Sequence, residues 1–187
     1  APPNMPLTTP FSSLTYHPAC RKTVHAIRTG FESPLTQGAF LTDLEWFIEE
    51  INPDIIITPN IWDMHGDHAA MIPLLQKNNI FNQIPICLTY IIHGGNDTLW
   101  PPRDIKTFTR PPVISDEAWQ KHIAIPLTDQ EESKKLKAIL AFTTQLKDDY
   151  DNFLVSFSKQ EEIFFLLREN DVSRQNIYNH FGYKEIP

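Results

Sequence analysis

Disulfide frameworks, membrane spans and basic stripes are all missing from this 187-residue sequence, and each absence removes a class of protein. Its two cysteines, Cys20 and Cys87, cannot form a disulfide scaffold, and two reduced thiols are favoured over a single bridge. Apolar runs such as residues 55–57 and 163–167 fall far short of the roughly 20 residues that cross a bilayer, so no transmembrane segment is expected. Lys and Arg number 16 against 23 Asp and Glu, for a net charge of −7, and the cations are scattered. Without a phosphate-tracking stripe, nucleic acid is not an expected partner. No Gly-x-Ser-x-Gly elbow and no Gly-rich phosphate loop occur, and Gly94-Gly95 reads as turn punctuation. No basic stretch followed by an apolar core opens the chain, so no signal peptide is visible. The opening Ala1-Pro2-Pro3 lacks a methionine, which fits a processed or truncated product. A soluble protein is expected, cytoplasmic rather than secreted.

What the chain does have is the balance of a globular domain, 41% hydrophobic and 21% charged, with length enough to bury a core. Residues 1–187 read as one domain, or as the C-terminal part of one. Five of the sixteen prolines, Pro2, Pro3, Pro6, Pro10 and Pro18, fall in residues 1–22 and predict an extended arm. Residues 23–27 have the β-branched character of a short strand. Phe40, Leu41, Leu44, Phe47, Ile48 and Ile51 follow the spacing of an amphipathic helix over 38–51, which Asn52-Pro53 should end. Residues 54–58 form a continuous β-branched run, as in a strand buried on both faces. A helix is predicted over 67–77 and a second buried strand over 84–92. Strand, loop, helix and strand in that order predict an α/β fold with a mostly parallel sheet and helices on both faces. Ligands of such sheets sit beyond the carboxyl ends of the strands, where loops 59–68 and 93–104 lie. Residues 95–116 read as an irregular excursion. Thr128 and Glu131 form a capping box that opens a helix over 128–146. A last helix is predicted over 161–169, followed by a polar tail over 170–187.

The segment Thr58-Pro-Asn-Ile-Trp-Asp-Met-His-Gly-Asp-His-Ala-Ala70 packs two histidines and two aspartates into residues 63–68. A neutral imidazole at a helix start can bind a divalent metal, while a nearby carboxylate fixes its tautomer. An imidazole one turn away can donate to an oxyanion on a metal-polarised carbonyl. His-x-x-His pairs are also commonly solvated or satisfied by backbone groups, and spacing alone leaves both readings open.

Asn52-Pro-Asp-Ile-Ile-Ile-Thr-Pro59 followed by Asp63-Met-His-Gly-Asp-His-Ala69 resembles the second signature of the PIG-L/LmbE-like zinc-dependent N-deacetylases. Tyr90-Ile-Ile-His-Gly-Gly95, Trp100-Pro101, Ile125-Pro-Leu-Thr128 and Phe153-Leu-Val-Ser-Phe157 with Glu162-Ile-Phe164 are similar to later parts of that family in the same order. The similarity spans roughly residues 40–165, and its first motif is the specific one. It implies a Rossmann-like fold and a zinc ion, or another divalent metal, that serves hydrolysis of the N-acetyl amide of an amino sugar or glycoside. By the same resemblance His68 would bind the metal and His65 would donate to the oxyanion. Asp67 would orient or charge-tune one of these histidines, and Asp63 would be an outer-shell or substrate-contacting group. His93 would lie at the rim of the same crevice and touch sugar hydroxyls, and Trp100 would stack on a sugar face. Gly66 stands where the family usually has proline.

The family's first signature, His-Pro-Asp-Asp, is absent. The nearest string, Tyr16-His-Pro-Ala-Cys20, lacks both carboxylates and reads as a loop. A catalytic zinc normally takes three protein ligands, so the missing ones, with the first strands of the sheet, would come from another segment or a second polypeptide. The alternatives are a fragment and a non-catalytic carbohydrate-binding or complex-forming relative. A structural metal site across an oligomer interface is a weaker third. Elsewhere the bland readings hold: Cys87 and Phe153, Phe157, Phe164 and Phe165 read as core. Glu49-Glu50, Glu131-Glu132 and Asp148-Asp149 read as solvated faces, and His25, His122 and His180 receive no role.

Overall fold

A computed structural model describes residues 24–31, 36–95, 100–146, 153–167 and 173–184. The chain divides into two compact units, Ala1–Pro53 and Asp54–Pro187. The expected arm over 1–22 lies outside the described residues.

In the first unit, α1 (Val24–Thr29) is a helix where β-branched residues predicted a strand. Its contacts with α2 (Gln37–Ile51) explain the difference. His25 Nδ1 lies 2.9 Å from an Asp43 carboxylate oxygen, and the Arg28 guanidinium sits 5.5 Å from the Trp46 ring. Tertiary partners of this kind override a weak β preference. Thr36 caps α2 by accepting from the Ala39 amide, and Asn52 closes it in the left-handed region at φ 46°.

The second unit is built on an open mixed sheet of β1 (Ile55–Pro59), β2 (Ile86–Tyr90), β3 (Ile123–Pro126) and β4 (Glu161–Leu166), in the order β1-β2-β4-β3. β1 and β2 are parallel, in register from Ile55 opposite Ile86 to Pro59 opposite Tyr90. β4 runs antiparallel to both β2 and β3, so the α/β class holds but the sheet is not mostly parallel. Between the parallel strands lie α3 (Gly66–Lys77), which buries Ile72 and Leu75, and a 3-10 turn over Ile80–Gln83.

The helix predicted over 161–169 is strand β4, and the reason lies in its two faces. Ile163 and Phe165 join Ile91, Trp100, Phe108 and Ile114 in one core cluster. Phe164 and Leu166 pack against the other, which contains Ile86, Leu88, Ile123, Ile125, Ile177 and Tyr178. A strand apolar on both faces shows no alternation in sequence and looks like a short helix. The predicted polar tail likewise contains a packed element. α4 (Asp116–Trp119), α5 (Asp129–Leu140) and α6 (Thr143–Leu146) precede α7 (Arg174–His180), whose Ile177 and Tyr178 are buried, the latter donating from its hydroxyl to Ala124 O. The capping box at Thr128 and Glu131 forms as read, and the helix it opens breaks after Leu140. Among the described residues no helix is long and apolar enough to cross a membrane.

The irregular segment beginning at Trp100 is held from beneath by Lys159, which is 1% exposed and donates from Nζ to the carbonyls of Pro102 and Ile105 at 2.5 Å each. Burial keeps its ammonium pKa below the ordinary lysine value. Replacing Lys159 with Ala leaves both carbonyls without this donor, and an expected loss of about 1–3 kcal/mol should appear as a lower denaturation midpoint at unchanged slope.

Candidate metal centre

Because β1 and β2 are parallel, their carboxyl ends reach the same edge of the sheet, and the two loops that leave them meet there. Asn60 starts the junction. Its amide donates to Tyr90 O at 2.8 Å, its side-chain nitrogen to Thr89 Oγ1 at 2.7 Å, and its side-chain oxygen accepts from the Trp62 amide at 3.0 Å. Asn60 is only 4% exposed. Sequence reasoning passed over it, although an asparagine immediately after a strand is a recognised turn former.

Asp63 completes the junction. One carboxylate oxygen accepts from the His65 amide at 2.9 Å and lies 3.1 Å from His68 Nδ1. The other accepts from the amides of Ile92 and His93 at 2.7 and 3.0 Å. The His68 contact is close by distance but bent away from ideal hydrogen-bond geometry, since Nδ1 has no well-angled partner. Burial alone would raise the Asp63 pKa, but the three amides and the His68 imidazole outweigh it and hold the carboxyl below its ordinary value. The Met64 amide, donating to His93 O at 3.0 Å, adds a further tie between the loops.

Three imidazoles gather around this anchor. Ring centroids are 4.8 Å apart for His65 and His68, 5.3 Å for His65 and His93, and 5.3 Å for His68 and His93. His65 is the N-cap residue of α3 and His68 lies in its first turn, so the helix start presents both. Asp63, His68 and His93 each offer a ligand atom within 4.8 Å of the other two, a group that could hold a metal ion. Burial lowers the His93 pKa most, the neighbouring His68 and His65 lower it further, and Asp63 opposes them. Phe153 stacks on the His93 ring at 5.5 Å and 19°.

The remaining sequence candidates stand apart. The Asp67 side chain is 95% exposed, with its nearest oxygen 4.0 Å from His65 Nδ1, too far for a hydrogen bond. Trp100 is 3% exposed and donates from Nε1 to Thr109 O at 2.9 Å. This corrects its expected role: a ring enclosed by Phe108 and Phe157 offers no face for a sugar. It supports the site from below instead. A Cβ at Gly94 would come within 2.9 Å of Trp100 Cε3 and of Pro111 Cβ, so the residue after His93 must be glycine for the loop to rest on that ring. Gly66, by contrast, has nothing within 4 Å of where a side chain would start.

A cavity of about 410 Å³ is lined by Trp62, Lys121 and Arg174 over Phe165 and Leu166, and none of the three histidines lines it. Comparison with protein-family models, with curated proteins and with solved structures finds no match for this chain.

Asp63→Asn should expose how much the junction depends on charge. The substituted amide has one acceptor oxygen for the three backbone amides that bond the carboxylate, and a cost of about 1–3 kcal/mol is expected at neutral pH. The native carboxyl sits below its unfolded value, so its contribution is present above the unfolded pKa of about 3.9 and is lost as the pH falls through the folded one. Denaturation midpoints of native and variant protein should therefore begin to converge as the pH falls below about 4 and meet only below the folded pKa.

Proposed function

We propose that this chain carries part of the active site of a zinc-dependent N-deacetylase that hydrolyses the acetyl amide of an amino sugar or glycoside. The observation that carries the reading is the convergence of His65, His68 and His93 on one buried carboxylate, beyond the carboxyl ends of two parallel strands. That is where open α/β sheets place their ligands, and the donor set suits zinc. The Asp63-Met-His-Gly-Asp-His68 string that resembles the deacetylase signature supplies two of these rings and the carboxylate.

His68 would hold the metal, with Asp63 fixing its orientation from behind. A bound zinc polarises the acetyl carbonyl and lowers the pKa of water. His65, half-exposed beside His68, is placed to donate to the oxygen on which negative charge develops. The base that removes the proton from water would come from a segment bearing the His-Pro-Asp-Asp motif, on a second polypeptide or elsewhere in a longer protein, together with ligands that complete the coordination.

One observation favours a second reading, a non-catalytic relative that binds carbohydrate or a protein partner. Asp63 is buried and bonded to three backbone amides and Asp67 points into solvent, so neither carboxylate is poised as a general base. Acetate release from N-acetylglucosaminides, measured with zinc and with and without a His-Pro-Asp-Asp polypeptide, separates the two. The hydrolase reading expects turnover only in the combined sample, reduced at least 100-fold by His65→Ala and abolished by His68→Ala. Saturable glycoside binding without acetate release under both conditions would establish the binder instead.

A further inference from the structure

We infer that His68 and His93 together chelate a divalent metal within this chain, with Asp63 as the carboxylate that orients them and not as a ligand. The inference goes beyond the hydrolase reading, which uses His68 alone and draws the remaining ligands from another segment.

Three observations carry it. The first is spacing. Imidazole nitrogens about 2.0–2.1 Å from one tetrahedral ion place their ring centroids roughly 5 Å apart. The His68 and His93 centroids are separated by 5.3 Å, and their ligand atoms lie within 4.8 Å of each other. Nitrogens sharing an ion are roughly 3.3 Å apart, a difference that small rotations of two partly exposed rings close.

The second is the state of the carboxylate. An ionised carboxylate has about four lone-pair directions. The amides of His65, Ile92 and His93 take up three of them on Asp63, whose side chain has no solvent exposure, and His68 Nδ1 lies 3.1 Å from one of its oxygens. A metal bound directly to Asp63 would have to compete with these three amides for its lone pairs. Asp63 is therefore the outer carboxylate of a carboxylate–histidine–metal arrangement, standing 3.1 Å from His68 Nδ1 and bonded to the backbone of His93.

The third is rigidity. The His93 backbone is fixed through its amide to Asp63 and through its carbonyl to Met64, and its ring is stacked on Phe153. Gly94 lets the same loop rest directly on Trp100. Both rings thus hang from one anchored junction and need little ordering on binding. His65 stays outside the chelate: it is half-exposed and is not among the groups that share the 4.8 Å spacing.

Zinc titration of the 187-residue chain alone, followed by calorimetry and by the absorption spectrum of the cobalt derivative, tests the assignment. One ion per chain is expected. His68→Gln and His93→Gln should each weaken binding at least tenfold, while His65→Gln should change it less than threefold. Thermal melts of the metal-free variants check that each still folds. Zinc affinity in His93→Gln equal to that of the unaltered chain would overturn the inference, as would the absence of binding by the chain alone. If zinc binds only when a His-Pro-Asp-Asp polypeptide is added, the hydrolase reading stands and this one falls. If zinc binds through His93 but no acetate is ever released, the chelate stands and the hydrolase reading falls.

Discussion

The buried carboxylate of Asp63 is the constraint on which the site depends. Two loops with no regular secondary structure of their own leave neighbouring strands, and each carries backbone amides that need acceptors once water is excluded. Asp63 accepts from the amides of His65, Ile92 and His93, and so joins the start of α3 to the end of β2. A buried charge is costly unless it is compensated, and the compensation here comes mainly from backbone dipoles. The geometry of three imidazoles follows from that single junction.

The sheet makes the junction available, and the layers around it keep it in place. Parallel pairing of β1 with β2 sets the two strand ends level, and Asn60 reaches across to Thr89, whose hydroxyl donates to Phe165 O on β4. On one face of β4, Ile163 and Phe165 pack against Trp100 and Phe108. Lys159 braces the irregular segment that carries those aromatics. Trp100 then supports Gly94 and, through it, the loop of His93. A chain of contacts thus runs from a buried lysine to a candidate ligand without a helix or strand joining them directly.

Among the described residues, the centre is rich in imidazole and poor in available carboxylate. Imidazoles suit metal binding and donation to an oxyanion, whereas activation of water calls for a base with a free lone pair. Asp63 is engaged by three backbone amides, and Asp67 stands in solvent at 95% exposure. The same engagement that makes Asp63 a good anchor removes it from proton transfer.

Much of this was legible in the sequence where the physics is local. The helix over Gln37–Ile51, the strands at Ile55–Pro59 and Ile86–Tyr90 and the capping box at Thr128 each rest on spacing or on contacts three residues apart. The crowding of Asp63, His65 and His68 was visible for the same reason. β4 and α7 were misread because Phe164, Leu166 and Ile177 owe their burial to partners far along the chain, which no window of a dozen residues contains. Trp100 was misplaced because an aromatic next to a proline gives no sign of which surface will cover it. The sequence by itself determined which side chains can do chemistry, since residue type and short spacing are written in it. Only the tertiary structure decided that His93 joins His68 across the strand ends and that Asp63 is spent on holding them, because both facts depend on parallel pairing between residues about 30 positions apart.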